Sequence, residues 1–235
     1  MSGVARYAPR HFLDLLLTRG LGIVAIGFVF ILPVALGDPL GDAPDVNLVR
    51  RLFGDMLGTL GVFFTLLAAY GLTGADLRQG FYRFIFSKPV SPVRYYALSY
   101  AATTAVFLLG LLATVGLWAV MVQPVWPAPY LGDVVADYFL LSTLILVFSP
   151  LTNGDWLIAL VTLGLAQGLR MSYPADESLV GRALDLLLPP TDTGRLFPLN
   201  GGVEWEPLLW QLGYAALLFT IALVVLRKVP MGSAR

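Results

Sequence analysis

Long apolar runs alternate along the chain with short polar segments rich in proline, glycine and aspartate. Two runs frame its middle: LGTLGVFFTLLAAYGLT at 57–73 and ALSYAATTAVFLLGLLATVGLWAVMV at 97–122. At about 1.5 Å rise per helical residue, such runs approach or exceed a hydrocarbon core of about 30 Å, so each predicts a membrane-crossing helix. The same pattern predicts a first crossing at 21–36, with Pro33 near its far end, a fourth at 134–148, a fifth at 156–171 and a last at 207–226, where Arg227 and Lys228 stop it. The fourth and fifth are short, which leaves tilt, buried ends or a re-entrant hairpin open for them. Continuous rather than alternating apolar runs select helices over a closed barrel. The expectation is an all-α, polytopic membrane protein, a single transmembrane domain over 1–235 with six crossings.

The polar segments carry the remaining organisation. Residues 1–20 hold Arg6, Arg10 and Arg19 beside Phe12, Leu13, Leu15, Leu16 and Leu17. Such a helix either lies along the interface or simply extends the first crossing, and both readings stay open. Charges interrupt its apolar run and no small-residue cleavage site follows closely, unlike a secretory signal. Residues 38–47 read as an exposed turn-rich loop. The second crossing opens with Arg50, Arg51 and Asp55, the last explained by an interfacial ion pair with Arg51. Gly54, Gly58 and Gly61 bare one flank of that helix for close approach of another backbone, and Gly164 and Gly168 suggest the same for the fifth crossing. The largest polar region, 172–206, contains the amphipathic piece SLVGRALDLLLPP, whose leucines suit the membrane surface or the ends of neighbouring helices.

Composition narrows the chemistry. The chain is 57% hydrophobic and 13% charged, against roughly 25% charged in an ordinary soluble domain. A formal net charge of zero argues against a nucleic-acid surface. Cysteine is absent, which removes disulfides, thiol catalysis and thiolate metal sites together. The one histidine, His11, precedes the first crossing and reads as solvated or interfacial. No metal-binding or Ser-His-Asp arrangement can be built around it. No GxxxxGK[ST] phosphate cradle occurs, so ATP is not hydrolysed here in the P-loop manner. Arg170 ends the fifth crossing and suits snorkelling outward. Gln167 and Gln211 read as more buried, either hydrogen-bonding between packed helices or lining a path. No carboxylate falls near the middle of these crossings, which counts against a proton-coupled carrier.

Lysine and arginine orient the chain. With a cytoplasmic N-terminus and six crossings, the inner segments hold Arg6, Arg10, Arg19, Arg78, Arg83, Lys88, Arg94, Arg227, Lys228 and Arg235, and the outer ones Arg50, Arg51, Arg170, Arg182 and Arg195. The positive-inside bias then places both termini and the central insert in the cytoplasm.

That insert, GADLRQGFYRFIFSKPVSPVRYY at 74–96, is the chain's most distinctive stretch. Asp76, Arg78, Gln79, Tyr82 and Arg83 fall on neighbouring faces of a short helix, with Phe81, Phe84, Ile85 and Phe86 on an apolar face. Pro89 and Pro92 end it, and the next helix begins near Arg94. Together with ALSY after it, this stretch resembles the loop following the second helix in permease subunits of type-2 ATP-binding-cassette (ABC) transporters. The six-crossing plan extends the resemblance over most of the chain, and LLLPPTD at 186–192 looks like a recurrent outer-loop phrase of that family. The resemblance implies that the insert is a cytoplasmic coupling helix seated in a cleft of a separate ATPase subunit. Carried over residue by residue, it implies contacts from Asp76, Arg78, Gln79, Gly80, Tyr82, Arg83, Ser87, Lys88 and Pro89, with a smaller contact at 153–155. It further implies a second permease subunit, identical or related, with ATP and magnesium bound by the partner ATPase. This chain would carry no catalytic residue, cofactor or metal, and would reside in the cell membrane. Non-transporting membrane anchor and ion-gradient-driven carrier are the competing readings.

Overall fold

The computed structural model describes residues 10–37, 46–70, 91–152, 154–173, 179–188 and 204–228. All regular structure among them is helical: α1 (Arg10–Leu36), α2 (Val46–Ala69), α3 (Pro92–Met121), α4 (Ala128–Phe148), α5 (Asp155–Ser172), α6 (Leu179–Leu187) and α7 (Trp205–Lys228). Five of these, α1, α2, α3, α4 and α7, are long and apolar enough to cross a membrane. The chain is therefore a multi-pass, all-α membrane protein. The 18-residue α5 is not among the five.

Two boundaries differ from the sequence expectation. Residues 10–20 are continuous with the first crossing, through a π-helical turn at Leu16–Gly20, so the N-terminal segment extends that helix. The fourth helix starts at Ala128 rather than at 134, because Pro127 begins the turn and its carbonyl accepts the amides of Tyr130 and Leu131. At the start of α3, Pro92 occupies the first helical turn after an extended Ser91, where a missing amide costs nothing.

The chain divides into two compact units. The first comprises α1, α2, α3 and α4 as far as Tyr138, and its register is set by glycines that admit a neighbour's side chain. A Cβ on Gly27 would lie 2.6 Å from the Thr114 hydroxyl, and one on Gly110 2.6 Å from Ile23, so α1 and α3 run parallel in tight contact. Gly22 faces Leu67 and Phe30 faces Phe63, which sets α1 antiparallel to α2. Gly54 receives the ring of Tyr130 and Gly61 receives Val134, so α2 and α4 run parallel. Phe53 sits between Trp118 and Tyr130 at centroid distances of 5.2 and 5.3 Å, closing the far end of this unit by aromatic packing.

The second unit contains the rest of α4 with α5, α6 and α7. From Leu140 to Leu146 every residue of α4 is buried, including Ser142 and Thr143. Thr143 donates to the carbonyls of Phe139 and Leu140 at 2.7 and 2.9 Å, so its hydroxyl is satisfied on its own helix. Thr65 and Thr114 bond back to Gly61 and Gly110 in the same way. Arg170 of α5 donates from Nη2 to the Leu188 carbonyl at 3.1 Å, at the end of α6.

Candidate functional site

All nine contact residues of the central insert, Asp76, Arg78, Gln79, Gly80, Tyr82, Arg83, Ser87, Lys88 and Pro89, lie outside the described residues, as does Asn153. The two roots of the insert are described: α2 ends at Ala69 and α3 begins at Pro92. A single helix, α1, holds both. The guanidinium of Arg19 donates to the carbonyl of Ala68, in the last turn of α2. Helix ends leave their last four carbonyls without intrahelical partners and carry partial negative charge, so a cation there satisfies the backbone and the dipole together. Two turns earlier, Nε2 of His11 is hydrogen-bonded to Oγ of Ser99 in α3 at 2.9 Å. The histidine expected to be solvated or interfacial is half-buried and reaches across to a second helix. Tyr95 and Tyr96, also buried, meet edge to face at 5.1 Å in the first turn of α3. The root of the insert is a fixed platform of three tied helices.

A second feature was missed by sequence reasoning. With α4 starting at Ala128, Asp137 is the tenth of its 21 residues and Asp133 lies one turn earlier. Depth can be read from neighbouring helices. Tyr138 stacks on Phe107 at 4.0 Å, and Phe107 is the fifteenth of the 29 residues of the span Val93–Met121. The Tyr138 hydroxyl lies 3.0 Å from that of Thr104, which itself donates to the Tyr100 carbonyl, so Tyr138 is the donor. Asp137 therefore stands at mid-depth of the first unit, and its side chain is exposed. The expectation that no carboxylate falls near mid-crossing is overturned; placing the start of the helix six residues late had put both aspartates at its mouth.

The remaining sequence-read residues divide. Arg51 Nε and Asp55 Oδ2 form the expected pair at 3.9 Å, both well exposed. Gln211 is fully buried, whereas Gln167 is exposed. Gly54 and Gly61 make close contacts, but among the described residues Gly58, Gly164 and Gly168 have no neighbouring atom within 4 Å of the point a Cβ would occupy. Asp155 is 2% exposed and accepts the Trp156 amide at 2.9 Å, a helix-start carboxylate turned inward. Among the described residues no group of His, Cys, Asp and Glu could hold a metal ion. Comparison of the chain with protein-family models, curated proteins and solved structures finds no match.

Proposed function

We propose that the chain is the membrane-spanning permease subunit of an ATP-driven transporter of the type-2 ABC kind, with a separate ATPase seated on the 74–96 insert. The reading rests on the resemblance carried by that insert. One observation supports it: both roots of the insert are tied to α1, through Arg19 to Ala68 and through His11 to Ser99. A push on a loop moves a bundle only if its roots are stiff, and these ties couple three helices to one lever. In this reading α5 supplies a sixth crossing, both termini face the cytoplasm of a cell-membrane protein, and a second permease subunit completes the path. A hydrophobic or amphiphilic molecule is exported, since buried hydroxyls such as Thr65, Thr114 and Thr143 are spent on their own helices. ATP and magnesium belong to the partner, and this chain has no catalytic role.

The test is purification in mild detergent followed by ATPase assay in vesicles. A Walker-motif protein should accompany the chain, and Arg78→Glu with Arg83→Glu should uncouple its ATP hydrolysis from transport while the bundle stays folded. Repeated recovery without such a protein would instead favour a membrane anchor.

A second reading gains from Asp137. A carboxylate at mid-depth is what a carrier driven by an ion gradient requires. Transport that persists without ATP but collapses with the proton gradient would establish that reading in place of the first.

A further inference from the structure

We infer that the π-helical turn of α1 is a register joint: residues 10–15 turn about it by one residue's rotation, exchanging His11 and Leu15 for Phe12 and Leu16 on the face that meets α3. The inference needs no partner chain and is independent of what drives transport. It starts from periodicity. An α-helix brings the same face round every three or four residues. The buried residues of α1 are Leu15, Gly20, Ile23, Gly27 and Ile31, so every step obeys that rule except the one of five from Leu15 to Gly20. His11, four residues before Leu15, continues the face and meets Ser99 of α3. The odd step coincides with the π-turn, where the amide of Leu21 donates to the carbonyl of Leu16, five residues back. One extra residue is thus absorbed between two stretches of α-helix that share a face.

If the turn closes to ordinary α-helical bonding, everything before it rotates by about 100° and shifts by about 1.5 Å relative to 21–36. Counting back from Gly20 in α-helical steps of four, the buried face then falls on Leu16 and Phe12 in place of Leu15 and His11. Both incoming residues are apolar, and both already stand half-buried. Either register therefore supplies two side chains to the seam with α3, which is the condition for a two-state element. What differs is the tie. His11 leaves Ser99, and Phe12 has no side-chain donor or acceptor to replace it. Arg19 adjoins Gly20 at the end of the turn that stays with 21–36, so its bond to the Ala68 carbonyl persists. Gly20 suits the joint: a Cβ there would lie 3.0 Å from Cδ1 of Leu16 and 3.4 Å from Cγ1 of Val106, crowding the turn from both sides. The joint thus frees α3, one root of the 74–96 insert, while α2, the other, stays held.

The chain contains no cysteine, so cysteine pairs can be introduced without removing any. Ser99→Cys is combined in turn with His11→Cys, Phe12→Cys and Asp14→Cys in the full chain, kept in its native membrane and oxidised with copper phenanthroline. A disulfide needs the two Cβ atoms within about 4.5 Å, so each pair reports one facing. The 11–99 pair should link fastest, as the observed register places it. The 12–99 pair should link more slowly but well above the 14–99 pair, since Asp14 is exposed and points away from α3 in both registers. Deleting Thr18, an exposed residue whose hydroxyl bonds only to its own helix at Asp14, removes the extra residue. The deletion should keep the 11–99 link and lower the 12–99 link to the 14–99 level. A 12–99 rate no greater than the 14–99 rate would overturn the inference, indicating a fixed turn or simple fraying of the helix end, and so would a 12–99 link that survives the deletion. If Ser99→Cys does not accumulate, Thr103→Cys, one turn further along α3 and also buried, replaces it with Leu15→Cys or Leu16→Cys against the same Asp14→Cys background.

Discussion

The guanidinium of Arg19 reaches a carbonyl that the α-helical pattern of α2 leaves unpaired, and it does so from a π-helical turn. Hydrogen bonds to charged groups contribute about 1.5–3 kcal/mol. Arg19→Ala should therefore lower stability by an amount in that range, read by denaturant unfolding in detergent, and should speed hydrogen exchange in the last turn of α2. Arg19→Lys keeps the charge and should recover part of the loss. A residual effect near zero for Arg19→Ala would mean that this contact does not hold the root of the insert. Tyr138 offers a milder case. Removing its hydroxyl as Tyr138→Phe leaves Thr104 bonded to the Tyr100 carbonyl and keeps the stack on Phe107, so the cost should be about 0.5–1.5 kcal/mol. Short-range pairs such as Arg51 with Asp55 were legible in the sequence because helix geometry alone sets an i,i+4 spacing. The partners of His11 and Arg19 were not, since they are 88 and 49 positions away and only the packing of three helices brings them together.

At the scale of the helix, small residues decide how closely neighbours approach. Gly27 is the sharpest instance: its absent Cβ would overlap Thr114, a fully buried residue whose hydroxyl is already bonded to Gly110. Neither helix can give way without breaking other contacts. Gly27→Ala should thus cost about 1–3 kcal/mol by overpacking, despite the better helix propensity of alanine. Gly116→Ala, on the same helix as Thr114 but with nothing among the described residues within 4 Å of the added Cβ, should be neutral or slightly stabilising. Thermal melting of the two variants in one detergent measures the contrast, and equal effects would contradict the α1–α3 register. The sequence announced close packing on α2 but not which glycines take part. Gly54, Gly58 and Gly61 lie along one stripe, and the side chains of α4 that enter it, Tyr130 and Val134, fall on the first and last. That selection depends on the partner helix and has no signature in the stripe itself. Helix starts were the other weak point. A loop rich in proline, read as QPVWPAPYLGD, concealed that its middle proline, Pro127, begins a turn leading directly into α4.

For the whole molecule the open quantity is parity. Five long helices leave the termini on opposite faces of the membrane, whereas a crossing by α5 returns them to the same face. Charge counting does not choose between these. If α5 stays on the inner side, Arg170, Arg182 and Arg195 move inward while Arg227, Lys228 and Arg235 move outward, and the balance of basic residues is unchanged. The proposed placement of the N-terminus and the central insert on the inner face, which rests on the positive-inside bias, is the same in either case. What distinguishes the two is the length of α5: its 18 residues reach about 27 Å, slightly short of a core of about 30 Å, and its charged residues, Asp155 and Arg170, stand at its ends. A mismatch of about 3 Å costs only fractions of a kcal/mol per Å, which local thinning or the bonded end of α6 can absorb. The six-crossing arrangement accordingly predicts a C-terminus on the same side as the insert. Fusing an exported reporter enzyme, active only outside, and a fluorescent protein, emitting only inside, after residue 228 reads this directly. Fluorescence without enzyme activity is the expected result. The reverse would leave α5 on the inner face, put the C-terminal basic cluster outside and remove the sixth crossing on which the proposed permease plan depends.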